Sequence, residues 1–234
     1  MSSVPPQGPG PMPPPPPPPQ PPYAAPPSGS LPWETQALGP QPFFDTAMLF
    51  IKAPEQAWRL TRETGDYMRP LLFGVIVGWV GLVFHAVWGT IFGAGFMRMI
   101  PAQYAGLFGG GSLVSRVILG PLLVAIGLFV GAAILHVSFM VVGALSSSRS
   151  QFEGTFRLVC YASVANVANV IPIVGGLAAG IWAIYLMVVG AQQLHKTTQS
   201  KALAGVLLPA ALCCVCAILG MAFAGAALFS AFRR

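Results

Sequence analysis

Carboxylates are what this chain most lacks. Six Asp and Glu occur among 234 residues; none lies between Tyr67 and Gln151, and none follows Glu153. The long apolar runs fall in those two stretches. Carboxylate proton relays, cation pathways and paired-carboxylate acid–base chemistry are thereby excluded from the apolar runs. Charge of either sign is scarce, at 8% of residues against about 25% for a soluble domain. Cysteine is scarce too. Cys160, Cys213, Cys214 and Cys216 all sit in apolar segments, where they read as small packed hydrophobes, not a disulfide framework or metal set. No Lys or Arg precedes Lys52, so the charged start of a secretory signal is missing.

What is present is apolar: 55% of residues are hydrophobic, in runs long enough to cross a bilayer, which takes ~20 helical residues. The expected fold is all-α, a polytopic membrane bundle of about five transmembrane helices preceded by a disordered, Pro-rich tail. Residues 1–42 form that tail, with 18 of the 24 prolines and the run Pro13–Pro19. Such a stretch cannot build a core and favours polyproline II, either as a docking ligand or as a spacer. Residues 43–69 read as a juxtamembrane amphipathic helix. Pro54 suits its first position, Gly65 its cap, and Glu55, Arg59 and Glu63 support it at i, i+4. Phe43, Phe44, Phe50 and Trp58 would rest at headgroup level.

The membrane domain is 70–234. Its first span runs from about Pro70 to Phe92 and its second from about Val117 to Leu145. The third and fourth fill Phe156 to Leu194, broken at Ile171–Pro172 and Gly175–Gly176. The fifth runs from about Ala202 to Phe229. The third is short, either a tilted crossing or partly re-entrant. The net charge of +6 is a topology signal. Lys52, Arg59, Arg62, Arg69, Arg149, Arg157, Lys196 and Lys201 fall on one side; Arg98, Arg116, Arg233 and Arg234 fall on the other. That bias places the N-terminus in the cytoplasm. No basic stripe suggests nucleic acid. The outer segment Phe96–Leu113 is a loop, and its Gly109–Gly111 lacks the lysine of a phosphate loop.

Candidate positions inside the spans are His85, His136, Ser163, Asn166, Asn169 and Pro172. His85 and His136 differ in depth by ~16 Å at 1.5 Å per residue, too far to share a metal. They read either as functional imidazoles or as neutral groups bonded between helices. Ser163, Asn166 and Asn169 recur every third residue, as a polar lining or as interhelical glue. Pro172 breaks the hairpin. Gly74–Gly78, Gly127–Gly131 and Gly176–Gly180 fit close helix packing, within the bundle or in a homo-oligomer. No catalytic, cofactor or metal set emerges, so no cofactor and no enzymatic activity are expected. Membrane lipids and a protein partner, met through bundle or tail, are the expected contacts.

One stretch carries a resemblance. Gly154-Thr155-Phe156-Arg157, Tyr161-Ala162 and Ile171-Pro172-Ile173-Val174-Gly175 are followed by Trp182, Tyr185, Gly190 and His195, then Lys201-Ala202 and Pro209. Together with Phe50-Ile51-Lys52-Ala53-Pro54-Glu55, this resembles the Yip family, the Ypt/Rab-interacting multi-span proteins and their bacterial relatives, over about 43–230. The resemblance implies five spans and a cytoplasmic N-terminus. In eukaryotic members it implies contact with prenylated small GTPases and a role in vesicle traffic. It transfers no catalytic residue. Val164-Ala165 stands where the family often has a proline, which implies a straighter third span. The expected function is non-enzymatic organisation or recruitment of partners at a membrane. The alternative is a permease or lipid-handling protein using the polar stripe. A bacterial plasma membrane is favoured, with Golgi or endoplasmic reticulum as the eukaryotic counterpart.

Overall fold

A computed structural model describes residues 30–97 and 113–232, with side chains described for 30–92 and 117–221. The proline run, residues 98–112 of the loop expected over Phe96–Leu113 and the terminal arginines lie outside those residues; Phe96, Met97 and Leu113 are helical. All regular structure among the described residues is helical.

Four helices are long and apolar enough to cross a membrane: α4 (Met68–Met97), α5 (Leu113–Val141), α7 (Gly175–Leu194) and α8 (Gln199–Phe232). Their outward residues are apolar as well, for example Ile118, Leu122, Ile126, Leu212 and Ile218. A helix that is apolar all round has no wet face, so lipid is its solvent. The second span ends at Val141 rather than Leu145, because the chain turns at Gly143, whose φ is +66°.

The third crossing is built differently from the expected straight span. α6 (Gln151–Ala162) starts five residues before the expected Phe156 and passes into a 3₁₀ helix over Ser163–Val170. No proline is needed for the change. Ser163 Oγ donates to the Cys160 carbonyl at 2.6 Å, and Ser and Asn side chains compete with the α-helical ladder. A 3₁₀ helix rises ~2.0 Å per residue against ~1.5 Å in an α-helix. The eight residues therefore add ~16 Å to the ~18 Å of α6, matching the ~30 Å of α7. The two run antiparallel over their whole length. At one end Gly175 packs against Ala168 and Asn169, and at the other His195 meets Ser148 and Thr155. This hairpin completes a bundle of five crossing-length segments.

The N-terminal region departs most from the sequence reading. Three short helices, α1 (Pro32–Thr35), α2 (Pro40–Lys52) and α3 (Pro54–Leu60), each have a proline in the first turn. They form a cap on one end of the bundle. Residues 30–42, expected as tail, belong to it: Leu31 is fully buried and Trp33 is 4% exposed. Phe50 and Trp58, expected at headgroup level, are also in the core, and only Phe44 of the four expected aromatics is exposed. Phe50 stacks on Tyr161 at 5.3 Å, and Phe73 of α4 joins Phe43 at 5.1 Å and Tyr161 at 5.2 Å. Each large apolar side chain buried this way contributes about 1.5–3 kcal/mol. A protein surface that accepts aromatic rings outcompetes the headgroup layer for them. Gly65 does not cap α3, which ends at Leu60; it turns the following loop at φ +139°. Glu63 lies beyond the helix and pairs with Lys196 at 3.1 Å rather than with Arg59.

Candidate functional site

The capped end of α6 gathers most of the buried polar chemistry. Its anchor is Arg157, 1% exposed. A guanidinium has five N–H donors and must use them if it is removed from water. Arg157 does so. Nη1 donates to Glu34 Oε1 at 2.7 Å, Nε and Nη2 donate to Glu153 Oε1 at 3.2 and 3.1 Å, and Nη2 also reaches the Asp66 carbonyl at 2.8 Å. Glu34 is equally enclosed. It accepts from the Tyr161 hydroxyl at 2.8 Å and from the Arg62 backbone N–H at 3.2 Å. Trp33, its neighbour in α1, donates Nε1 to the Arg69 carbonyl at 2.7 Å, and Arg69 Nη1 returns bonds to the Trp33 and Gln36 carbonyls. The cap is therefore tied to α6 by a desolvated ion pair and to the start of α4 by reciprocal bonds.

A second chain of bonds joins α5, α6 and the end of α7. His195 follows α7 and is fully buried. Its Nδ1 pairs with Ser148 Oγ at 2.8 Å and its Nε2 with Thr155 Oγ1 at 3.1 Å. Thr155 Oγ1 in turn meets His136 Nδ1 at 3.0 Å. Neutral imidazole donates through one nitrogen and accepts through the other, so the run Ser148–His195–Thr155–His136 is satisfied without any charge. Burial pushes the His195 pKa down to about 4, with the nearby His136 adding to the shift. Gly154 permits the approach, since a Cβ there would collide with Ser150 and crowd His195.

The structure separates the other expected positions. Ser163 is buried and Asn166 and Asn169 are half-buried, in line along the 3₁₀ helix, where three residues make one turn. They face α4. Gly81 abuts Asn166, Asn169 Nδ2 donates to Asn166 Oδ1 at 3.4 Å, and Trp88 Nε1 donates to the Asn169 carbonyl at 3.0 Å. The stripe thus lies in the contact between the 3₁₀ helix and α4. His85 is exposed on α4, away from the His136 chain, and Pro172 is exposed at the hairpin break. Among the glycine pairs, Gly74–Gly78 packs tightly against α5 and Cys160, whereas a Cβ at Gly127 or Gly180 would meet open space. Cys160 is buried, but Cys213, Cys214 and Cys216 are exposed and do not pack in the chain. Among the described residues no group of three or more His, Cys, Asp or Glu could hold a metal ion.

A family model described as the Yip1 domain matches residues 48–221, well over half of the 234 residues. The chain belongs to the Yip family. No curated protein and no solved structure matches it. The Yip match holds Arg157, Tyr161, Thr155 and His195 but begins after α1, so Glu34 lies outside it. The ion pair that seats the cap thus joins a residue within the Yip domain to one beyond it. Arg157, Tyr161, Gly190 and His195 belong to the motif that carried the resemblance, yet none was a candidate site residue. Arg157 was the usable signal: a buried arginine has more donors than the one nearby carboxylate, Glu153, can satisfy, so a second acceptor had to come from elsewhere. Glu34 stands beyond the apolar runs in a proline-rich context that gave no such cue.

Proposed function

We propose that this integral membrane protein of the Yip family is a non-enzymatic organiser that holds its N-terminal segment at a fixed place on the cytoplasmic face and recruits partners there. The carrying observation is the Glu34–Arg157 pair at 2.7 Å, which ties the start of the cap to the bundle core. A protein needing only a flexible spacer has no use for that anchor. The excess of Lys and Arg on the capped side supports a cytoplasmic location for it. By family resemblance the partners in a eukaryotic setting are prenylated small GTPases; in a bacterial plasma membrane they are other membrane proteins.

The test is in-cell crosslinking followed by mild-detergent purification, comparing the full chain with one that starts at Ser30. The expected result is a protein partner recovered with the full chain and lost or reduced with the shorter one. Equal recovery would reduce residues 1–29 to a spacer. Absence of any protein partner, with a small molecule or lipid co-purifying instead, would favour the transport reading.

A further inference from the structure

α2 carries more apolar surface than the cap buries. Phe43, Ala47 and Phe50 share one arc of the helix and pack into the core. Beside that arc runs a second apolar row. Phe44, Met48 and Ile51 fall within about 60° of one another at 100° per residue, and they are exposed, at 62%, 43% and 40%. Gln41, Asp45 and Lys52 are exposed as well, but they fall in a separate arc of about 40° on the far side of the row. Asp45 there accepts from Gln41 Nε2 at 3.0 Å. The outer apolar row thus lies between the buried arc and the polar one.

The ring contacts give the direction of α2. Phe43 and Phe50 are seven residues apart, ~10 Å along the helix, yet both meet one ring. Phe73 of α4 lies 5.1 Å from Phe43 and 6.5 Å from Phe50. A helix running alongside α4 would spread those contacts over two of its turns. α2 therefore crosses α4, and Phe50 stacked on Tyr161 carries it across α6 too. A helix that crosses two membrane-spanning elements lies near the plane of the bilayer. Its depth follows from Phe73, four residues past Arg69, the last charged residue at the start of α4. That is ~6 Å further in at 1.5 Å per residue, and in-plane helices sink their apolar faces ~5–10 Å into the boundary between headgroups and acyl chains. The next exposed side chains along α4, Ile76 and Val80, are apolar, so the lipid-facing surface of the span begins at the level of α2.

We propose that the outer row of α2, Phe44, Met48 and Ile51, is a lipid-docking surface, sunk in the headgroup–acyl boundary of the leaflet on the capped side. The cap is then held by two contacts: the protein core through one arc of α2 and the bilayer through the next. The polar arc of Gln41, Asp45 and Lys52 faces water. The lipid contact is separate from the recruiting role, which concerns the N-terminal segment, and it can be tested with the chain alone, so a missing partner does not affect the outcome.

The experiment attaches a nitroxide at single cysteines introduced by Met48→Cys or Asp45→Cys into the full chain carrying Cys160→Ala, Cys213→Ala, Cys214→Ala and Cys216→Ala. In vesicles of phosphatidylcholine and phosphatidylglycerol, electron paramagnetic resonance power saturation reads collisions with oxygen, which concentrates in lipid, and with a nickel chelate, which stays in water. The oxygen-to-nickel ratio at position 48 should exceed that at position 45 severalfold. Phe44→Cys and Ile51→Cys should follow position 48, and Gln41→Cys should follow position 45. Equal ratios at 48 and 45 would place the row in water and overturn the proposal. Few collisions with either reagent at position 48 would mean that protein, such as a second copy of the chain, covers the row, and would overturn it as well. Hydroxyl-radical labelling of the unaltered chain in lipid nanodiscs keeps the test decisive if the alanine replacements unfold it. Met48 should resist labelling as Met221 of α8 does, an exposed residue of a span. Labelling of Met48 as fast as in the urea-unfolded chain would overturn the proposal.

Discussion

Arg157 and His195 show what single residues contribute. Removing one partner of a buried ion pair leaves an uncompensated charge, at a cost of about 3–5 kcal/mol. Arg157→Met, which strands buried Glu34, should therefore lower the thermal midpoint in detergent sharply, and Glu34→Gln, which leaves Arg157 paired with Glu153 alone, should lower it by less. The double variant should recover part of the loss, since neither charge remains. Additive losses would mean that the two residues act separately. His195 gives a pH dependence whose sign follows from its pKa of about 4, below the ordinary ~6.5 of the unfolded chain. Between those values the unfolded state binds the extra proton, so stability is full above about pH 6.5 and falls toward pH 4, by on the order of 3 kcal/mol. His195→Gln should flatten that limb of a midpoint-versus-pH curve relative to the parent. An unchanged limb would assign the acid sensitivity to other groups. At this scale the sequence was partly legible. His136 stands out as an imidazole in an apolar run, but its connection through Thr155 to His195 depends on helix ends brought together by the hairpin.

Among the elements, α3 and α7 meet at Gly190. Trp58 and Leu158 crowd Gly190 to the point that a Cβ there would overlap both. Gly190→Leu should destabilise by about 1–3 kcal/mol or more and release the cap, read as faster proteolysis between residues 30 and 66 with the bundle still intact. Resistance equal to the parent would show that the cap is held elsewhere. The 3₁₀ helix supplies the second test. Asn166→Leu with Asn169→Leu removes the bond between the two side chains, whose value in a membrane is ~0.6 kcal/mol. A lowered thermal midpoint with unchanged partner recovery is expected; loss of a transport or lipid-flipping activity without destabilisation would restore the permease reading. The crossing helices were legible because long apolar runs have few other solutions. The 3₁₀ segment was legible only in outline. Its three-residue polar repeat gives the face, while the change of helix type rests on local competition between side chains and backbone. The cap was misread because Phe50 and Trp58 form the same amphipathic pattern whether they face lipid headgroups or a protein surface.

For the whole molecule, the boundary between tail and folded protein decides what a truncation means. A chain starting at residue 43 loses Trp33 and Glu34 and leaves Arg157 with Glu153 as its one remaining carboxylate partner, so it should melt well below the parent. A chain starting at Ser30 keeps the cap and should melt within a degree or two of it. Equal midpoints for all three would show that the cap adds nothing to bundle stability. The order of synthesis gives the cap a further consequence. Glu34 precedes Arg157 by 123 residues and Tyr161 by 127, so at ~5–20 residues per second it waits roughly 6–25 s for its partners. During that interval Trp33, Phe50 and Trp58 have no groove to enter. Protection of these aromatics from protease in arrested chains should appear only after α7 has been made. Seating of the cap then acts as a mark of finished assembly: a chain whose hairpin fails to insert keeps a sticky, aromatic N-terminal segment on display, the kind of surface that quality-control machinery recognises.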